Sequence, residues 1–535
     1  MRAVASLLSN TPLLRKLLCQ TRIALGVGTA GAYTALGNIR LKEGQHFAAA
    51  QSYWRAIQAN PNGSVDPYIG ILDTLANCPA IMQETRFGDA PTDPRHLGSN
   101  KQRDWDNLSF GVGQNVSQFC DFLDRTIAAS PLNLGLYHRA NVLIALCEFK
   151  AAMPYFYRLL EAQRRLAEVR GVDISDVRYF RNHWIFNIGH ILAMECPIKA
   201  SLLGWQPPRR WVVLAPPDKV ANQVYLDYYR PYCEEIITDP RRIQELQPEA
   251  ECLEEFGYTS ELHNRHVSNR QAWFRIEQQW EAEGRPPLLR LREEDNRRGQ
   301  ARLRQLGVPE GAWYVGLHVR ETGFHQDSDQ THRNASIAAC EQAIRSITAR
   351  GGWVIRMGNP MMSRLKPMPQ VIDYAHSGLR CDWMDVFLCG SMRFMIGTAS
   401  GLTHVPATFG VPTISTNWTC ICVAPWHGFD MYIPKLFWSE VKNRYLSLEE
   451  SFSTGAGFAL NDCFYRKTQI RPVENDPEDI NNVVVEMLDR LDGRPYSAED
   501  DALFNQWKAI AEPHGVTCLS RVSSSFVKRH SFLMG

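Results

Sequence analysis

The sequence is short of net charge: 58 Lys and Arg stand against 57 Asp and Glu, leaving a formal +1 at pH 7. A nucleic-acid binder needs a broad basic surface, so that class is excluded and any phosphate site must be local. Paired cysteines are missing as well. None of the 14 Cys forms a Cys-x-x-Cys motif, and Cys420 and Cys422 are too closely spaced for a structural zinc knuckle; the thiols read as buried and free in a reducing cytoplasm. There is no G-x-x-x-x-G-K-[ST] phosphate loop and no convincing G-x-G-x-x-G, which removes kinase and dehydrogenase readings. A long hydrophobic run is also lacking. The uncharged stretch 23–39 follows Arg15, Lys16 and Arg22 and imitates a signal peptide or short membrane span, but it contains Gly26, Gly28, Gly31 and Gly37. It falls short of the ~20 strongly apolar residues a membrane helix needs. The expectation is a cytoplasmic protein, with peripheral attachment at the inner face of a membrane as the variant.

What is present is length and pattern. At 535 residues the chain exceeds what one core holds, and about three domains are expected. Tyr33, Leu36, Gly37, Ala49, Tyr53, Ala56 and Pro61 fit the spacing of a tetratricopeptide repeat of about 34 residues. Leu136, Ala140, Ala152, Phe156 and Leu159 give a weaker echo, and the polar segment 88–115 between them reads as loop. One repeat cannot bury its own face, so residues 1–175 are predicted to form an α-helical tetratricopeptide-like module, either a scaffold or a docking site for a protein partner.

From residue 176 the pattern changes to strands alternating with helices, the mark of parallel α/β layering. The segment 183–188 reads as a strand, Gly189-His190 as the turn after it, Arg210 to Leu214 as the next strand and Glu235 to Ile237 as a third. Residues 176–300 are thus predicted to be a first Rossmann-like domain, 301–475 a second, and 476–535 a C-terminal helical tail. In the second domain Asn334 is expected to cap a helix burying Ile337, Cys340, Ile344 and Ile347, ended by Gly351 and Gly352 before the strand at Trp353.

Chemistry-bearing residues gather at strand ends. The apolar run from Trp313 stops at His318-Val319-Arg320-Glu321, and ligands of open α/β sheets collect at carboxyl ends of strands. Arg320 suits a phosphate through its planar fork, the alternative being a surface ion pair with Glu321. Phe394 to Gly397 is a second apolar strand, followed by Thr398-Ala399-Ser400-Gly401, small residues that open a helix whose free N–H groups can hold an anion. Arg333 and Arg356-Met357-Gly358 are placed toward the same rim, Arg356 with a structural salt bridge as its competing role. His404 faces either ligand or core. His190 is the candidate general base, with Glu321 as runner-up. Asp327-Ser328-Asp329 invites a divalent metal, but its polar-loop setting argues against one, and no metal or other cofactor is expected.

The His-Val-Arg strand end, the later Ser-Gly turn, Arg333-Asn334 and Val354 to Gly358 together resemble the donor half of fucosyltransferase-like and heptosyltransferase-like enzymes. With helical repeats in front, residues 180–470 resemble a bacterial family of poorly characterised glycosyltransferases with tetratricopeptide-like repeats. The resemblance implies a GT-B-like fold of two Rossmann-like domains and a C-terminal tail that crosses back onto the first. It implies sugar transfer from a nucleotide-sugar donor to a glycan, lipid-linked or protein hydroxyl acceptor, with inversion, in bacterial surface glycan or glycoconjugate synthesis. His318, Arg320, Arg333, Asn334, Arg356, Gly358, Ser400, Gly401 and His404 would hold the donor, and Arg320 would stabilise the departing diphosphate. In the heptosyltransferase-like enzymes a carboxylate occupies the turn where this chain has Gly189-His190. A non-catalytic adaptor with a degenerate nucleotide-binding body is the competing reading.

Overall fold

The computed structural model describes residues 12–60, the isolated positions 67, 70 and 74, and residues 149–174, 176–257, 259–263, 265–321, 330–421, 427–459, 462–517 and 519–535. It divides into two compact units, residues 1–173 and 174–535.

In the first unit the described residues are helical: α1 (Pro12–Ala24), α2 (Thr29–Lys42), α3 (His46–Ala59) and α4 (Phe149–Arg170). The uncharged N-terminal stretch is broken between α1 and α2 by Gly26 and Gly28, whose φ angles of 69° and 57° are left-handed. Among the described residues no helix is long and apolar enough to cross a membrane. Helices α2 and α3 cross closely because Gly37 has no side chain. A Cβ there would stand 2.5 Å from the Tyr53 ring, whose hydroxyl donates to Asn38 Oδ1 at 2.7 Å. The pair is a helical hairpin; Leu136 and Ala140 of the second repeat and the loop 88–115 lie outside the described residues.

The second unit carries two parallel sheets. The smaller has β1 (Val177–Phe180), β2 (Arg210–Leu214) and β3 (Glu235–Ile237) in the order β1-β2-β3. Segment 183–188, expected as a strand, is instead α5 (Asn182–Ile185) followed by α6 (Ile188–Leu192). The strand lies just upstream. A short apolar run has no period that separates strand from helix, and here tertiary contacts decide: Trp184 Nε1 donates to the Glu255 carbonyl at 2.9 Å, with its ring edge-on to Phe180 at 4.8 Å. Then come α7 (Glu195–Leu202), α8 (Gln223–Asp227), α9 (Pro240–Cys252), the hairpin β4 (Thr259–Leu262) and β5 (Arg265–Ser268), α10 (Asn269–Ala282) and α11 (Glu293–Gln305).

The larger sheet has β6 (Tyr314–His318), β7 (Trp353–Arg356), β8 (Val371–Ile372), β9 (Phe394–Gly397), β10 (Thr413–Trp418), β11 (Met431–Pro434) and β15 (Arg521–Val522), all parallel, in the order β15-β11-β10-β9-β6-β7-β8. The helices α12 (Glu341–Ala349), α13 (Asp382–Ser391) and α14 (Gly401–Thr408) alternate with these strands. β12 (Leu436–Ser439), β13 (Arg444–Tyr445) and β14 (Ile470–Val473) form a small antiparallel sheet beside it, with α15 (Leu448–Ser453) and α16 (Asp462–Thr468) between them.

The tail departs from expectation. It holds α17 (Pro477–Leu491), α18 (Ala498–Ala511) and α19 (Ser524–Arg529), but it also supplies β15 at the edge of the large sheet, and α17 packs on α12, β10 and β11. Val483, Val484, Met487 and Leu488 of α17 are buried in the same core as Val315 and Ile414, which keeps the tail on the second sheet. Helix α11 follows suit, since a Cβ on Gly299 would stand 2.2 Å from the Phe387 ring of α13. The two sheets share an apolar core running from Phe180 and Trp211 to Ile355 and Met395. A buried charged group also bridges them. Lys199 Nζ sits 2.8 Å from Glu277 and 3.3 Å from Glu195, and His427 Nε2 lies 3.6 Å from Glu277.

Candidate functional site

Strand β6 enters the large sheet first; β7 and β8 are added on one side of it, and β9, β10, β11 and β15 on the other. The carboxyl ends of β6 and β9 therefore flank the point where the winding reverses, which is where open parallel sheets hold ligands. The two segments leaving those ends are cross-linked. Thr398 N donates to the His318 carbonyl at 3.2 Å, and Arg320 N donates to Thr398 Oγ1 at 2.9 Å. His318 Nε2 lies 3.1 Å from Ser400 Oγ while its Nδ1 faces the Met357 carbonyl at 3.4 Å. A carbonyl only accepts, so Nδ1 carries the proton and Nε2 takes the serine's hydrogen. Burial pulls the His318 pKa down to about 4, so the ring is neutral near pH 7.

Ser400 occupies the N-cap position of α14, yet its side chain makes no capping bond. Its hydroxyl belongs to the crevice. Asn334, expected as a helix cap, does something else: Ser336 precedes the 3-10 turn Ile337–Cys340 that leads into α12, and Asn334 Oδ1 accepts from Arg320 Nε at 3.2 Å. Beside it Arg333 donates from Nε to the Ala399 carbonyl at 2.8 Å and from a second nitrogen to the same oxygen, while the remaining nitrogen reaches Gln330 Oε1. No described carboxylate pairs with Arg333. Burial, followed by the neighbouring Arg320 charge, lowers its pKa to about 10. Two guanidiniums beside a helix N-terminus concentrate positive potential, a setting chemically suited to an anion.

The segment carrying these residues is held from behind. The Asp462 carboxylate accepts from Thr331 N and Thr331 Oγ1, each at 2.6 Å, from His332 N at 2.7 Å and from His332 Nδ1 at 2.6 Å. Burial opposes its ionisation, but these bonds outweigh it and hold the carboxyl well below the usual range. Lys435 Nζ donates to the Asn334 carbonyl at 2.6 Å. Sequence reasoning missed both residues. Lys435 had one signal, a lone charge inside the apolar run Met431 to Trp438; Asp462 had none, because its partners are far away in the chain.

Across the crevice, Asn187 caps α6 by accepting from Gly189 N at 2.8 Å. Gly189 and Gly401 then meet backbone to backbone. A Cβ on Gly189 would lie 2.9 Å from Gly401 Cα, and one on Gly401 would lie 2.7 Å from Gly189 N, so neither position accepts a side chain without movement. His190, one residue on, is exposed, and its Nδ1 donates to the His183 carbonyl at 2.6 Å. That bond fixes the tautomer and leaves an unprotonated Nε2. Crowding by surrounding protein lowers the His190 pKa, which favours this neutral form.

Other candidates lie elsewhere. Arg356 was placed at the rim, but it is fully buried and donates to Asp373 Oδ1 at 3.1 Å, Glu321 Oε2 at 3.2 Å and the Ser363 carbonyl at 2.9 Å. Its side chain is committed to structure. Glu321 pairs with Arg356 rather than Arg320, and it also accepts from Ser363 N at 2.9 Å, so it is a poorer base than His190. Gly358 has a left-handed φ of 140°, and a Cβ there would stand 2.6 Å from Met362 Sδ, which makes it a packing glycine. His404 packs edge-on against Trp418 at 5.4 Å, and burial holds its pKa down to about 4. Asp327, Ser328 and Asp329 lie outside the described residues. Among the described residues, Glu195, Glu277 and His427 have the composition of a metal site, but Lys199 Nζ already supplies the positive charge between the two carboxylates.

No protein-family profile matches this sequence, and no curated protein matches it. A solved structure, described as the glycosyl transferase family 9 from Veillonella parvula DSM 2008, aligns with 59% of this chain and 96% of its own at 12% identity, with a TM-score of 0.35. At that level the likeness leaves both fold and function to the chain's own geometry.

Proposed function

We propose that the chain is a glycosyltransferase whose nucleotide-sugar donor lies at the switch point of the large sheet, its diphosphate held by Arg320, Arg333 and the N-terminus of α14. One observation carries this: two adjacent arginines, fixed by Asn334 and Ala399, face the start of a helix at the sheet's ligand-binding edge, with a base-ready imidazole on the opposite half. As the sugar leaves the diphosphate, negative charge grows on the leaving oxygen, and the Arg320 guanidinium supplies positive charge beside it. His190 Nε2 takes the proton of the acceptor hydroxyl. Attack from the side opposite the leaving group inverts the anomeric centre. The two arginines do the work that a divalent ion does elsewhere, so turnover is expected to survive EDTA.

The test is calorimetric titration of the full chain with nucleoside diphosphates and nucleotide sugars, followed by turnover assays with the sugar donor that binds. Binding of one nucleotide class, weakened in an Arg333→Ala variant, supports the reading. Absence of binding by every nucleotide would sink it, and tight binding without turnover on any hydroxyl acceptor would return the chain to an adaptor role.

A further inference from the structure

Beside the crevice, behind the segment that carries Arg333 and Asn334, lies a pocket of about 950 Å³ lined by Lys435, Asp462, Tyr465, Arg471 and Glu474 among others. Lys435 is its unusual member. The residue is 4% exposed, and its ammonium has one hydrogen bond, to the Asn334 carbonyl, with no carboxylate at ion-pair distance among the described residues. A buried ammonium offers three donors and is costly to leave without a counter-charge. The pocket's own carboxylates are engaged elsewhere: Glu321 with Arg356, Glu440 with Arg471 at 3.4 Å, Asp462 with Thr331 and His332, and Glu474 with Ser336 N at 2.9 Å. The charges of Glu474 and Asp462 reach Lys435 only from beyond ion-pair distance, and an anion entering the pocket would pair with it directly.

We infer that this pocket is a subsite for a sugar-sized ligand bearing an anionic group, a carboxylate or a phosphate, which pairs with Lys435. The volume accommodates more than one sugar ring, and the Tyr465 ring offers an apolar wall. Because Lys435 and Arg320 both bond to Asn334, the subsite adjoins the donor crevice without sharing its arginines. Identifying its occupant as the acceptor rests on the transferase reading; the existence of the anion subsite does not.

The experiment titrates the full chain with glucuronate, inorganic phosphate and glucose, and separately with the nucleoside diphosphate that binds best, in wild type, Lys435→Gln, Lys435→Arg and Arg320→Lys. Glucuronate or phosphate is expected to bind wild type and to weaken about thirtyfold or more in Lys435→Gln, as loss of one partner of a buried charge pair does. Binding should recover in Lys435→Arg, survive in Arg320→Lys, and be absent for glucose. Glucuronate binding alone would identify a carboxylate ligand, and phosphate alone a phosphorylated one. Equal binding to Lys435→Gln, or no binding of either acid to wild type, would overturn the inference. So would nucleotide binding that falls in Lys435→Gln by the same factor as acid binding, because the lysine would then belong to the donor site. Failure of every nucleotide to bind, with acid binding intact, would remove the donor reading and leave the subsite. Should the glutamine variant not fold, wild type alone decides. Burial pulls the Lys435 pKa down to about 8, so acid affinity should decline as the pH rises beyond the value of the ligand-bound lysine, whereas a site made of arginines would show no such decline.

Discussion

Strands β6 and β7 lie side by side in register, and each delivers an arginine at its carboxyl end. Their described neighbours differ. Arg356 is surrounded by Asp373, Glu321 and a carbonyl, while Arg320 donates to Asn334, stands beside the Arg333 guanidinium and feels the Asp462 charge from farther off. The difference comes from the neighbours: Asp373 follows β8 directly, and Glu321 turns from its own strand end toward β7. Residue type and position at a strand end therefore nominate an arginine for ligand binding, and the neighbours gathered by the fold show when it is committed to structure, as Arg356 is.

The comparison breaks most visibly in stability. Arg356→Met leaves Asp373 and Glu321 without their buried partner and should lower unfolding stability by about 3–5 kcal/mol, read from urea denaturation. Arg320→Lys should change the same midpoint little but reduce kcat by about 10²-fold, because a single ammonium does not reproduce the oriented fork. If the two variants exchange these phenotypes, the roles assigned to the strand ends are reversed.

A smaller effect is expected where the halves touch. Gly401→Ala introduces a methyl group against the Gly189 backbone and should cost about 1–3 kcal/mol, with weaker nucleotide binding than Gly31→Ala, whose Cβ would meet nothing within 4 Å. Equal nucleotide affinity in the two variants would show that the close contact at the crevice does not shape the donor site. The smallest effect is a shift along the pH axis. His190 is held below its ordinary pKa of about 6.5, so kcat/KM should fall only when pH drops below that value, as the imidazole gains a proton and ceases to be a base. His190→Gln should remove this limb from the profile; a limb that persists assigns the base to another group.

Much of the second unit was legible in the sequence. The alternation from Trp313 to Ile414 placed β6, β7, β9 and the helices between them, because a strand buried on both faces is a short apolar run closed by glycine or polar residues. The same logic failed at 183–188, where the run was equally apolar but Asn187 capped a helix and Trp184 bonded outward to Glu255. Asn334 looked like a cap because Asn often is one; only the fold brought the Arg320 guanidinium to it. The tail read as helical and largely is, but its short strand β15, two residues long, is too brief to leave a periodic signal.

The sequence alone determined the strand-and-helix order of the second unit, the polar ends of β6 and β9, and the glycines where backbones approach, since these follow from local propensity and side-chain size. Tertiary structure decided which charges cancel. Arg356 is neutralised by residues 17 and 35 positions away, Asp462 fixes a segment 131 residues upstream, and Lys435 braces Asn334 across 101 residues. Electrostatic pairing depends on distance and burial, neither of which a linear pattern carries, so the partners that commit Arg356 to structure exist only in the folded chain.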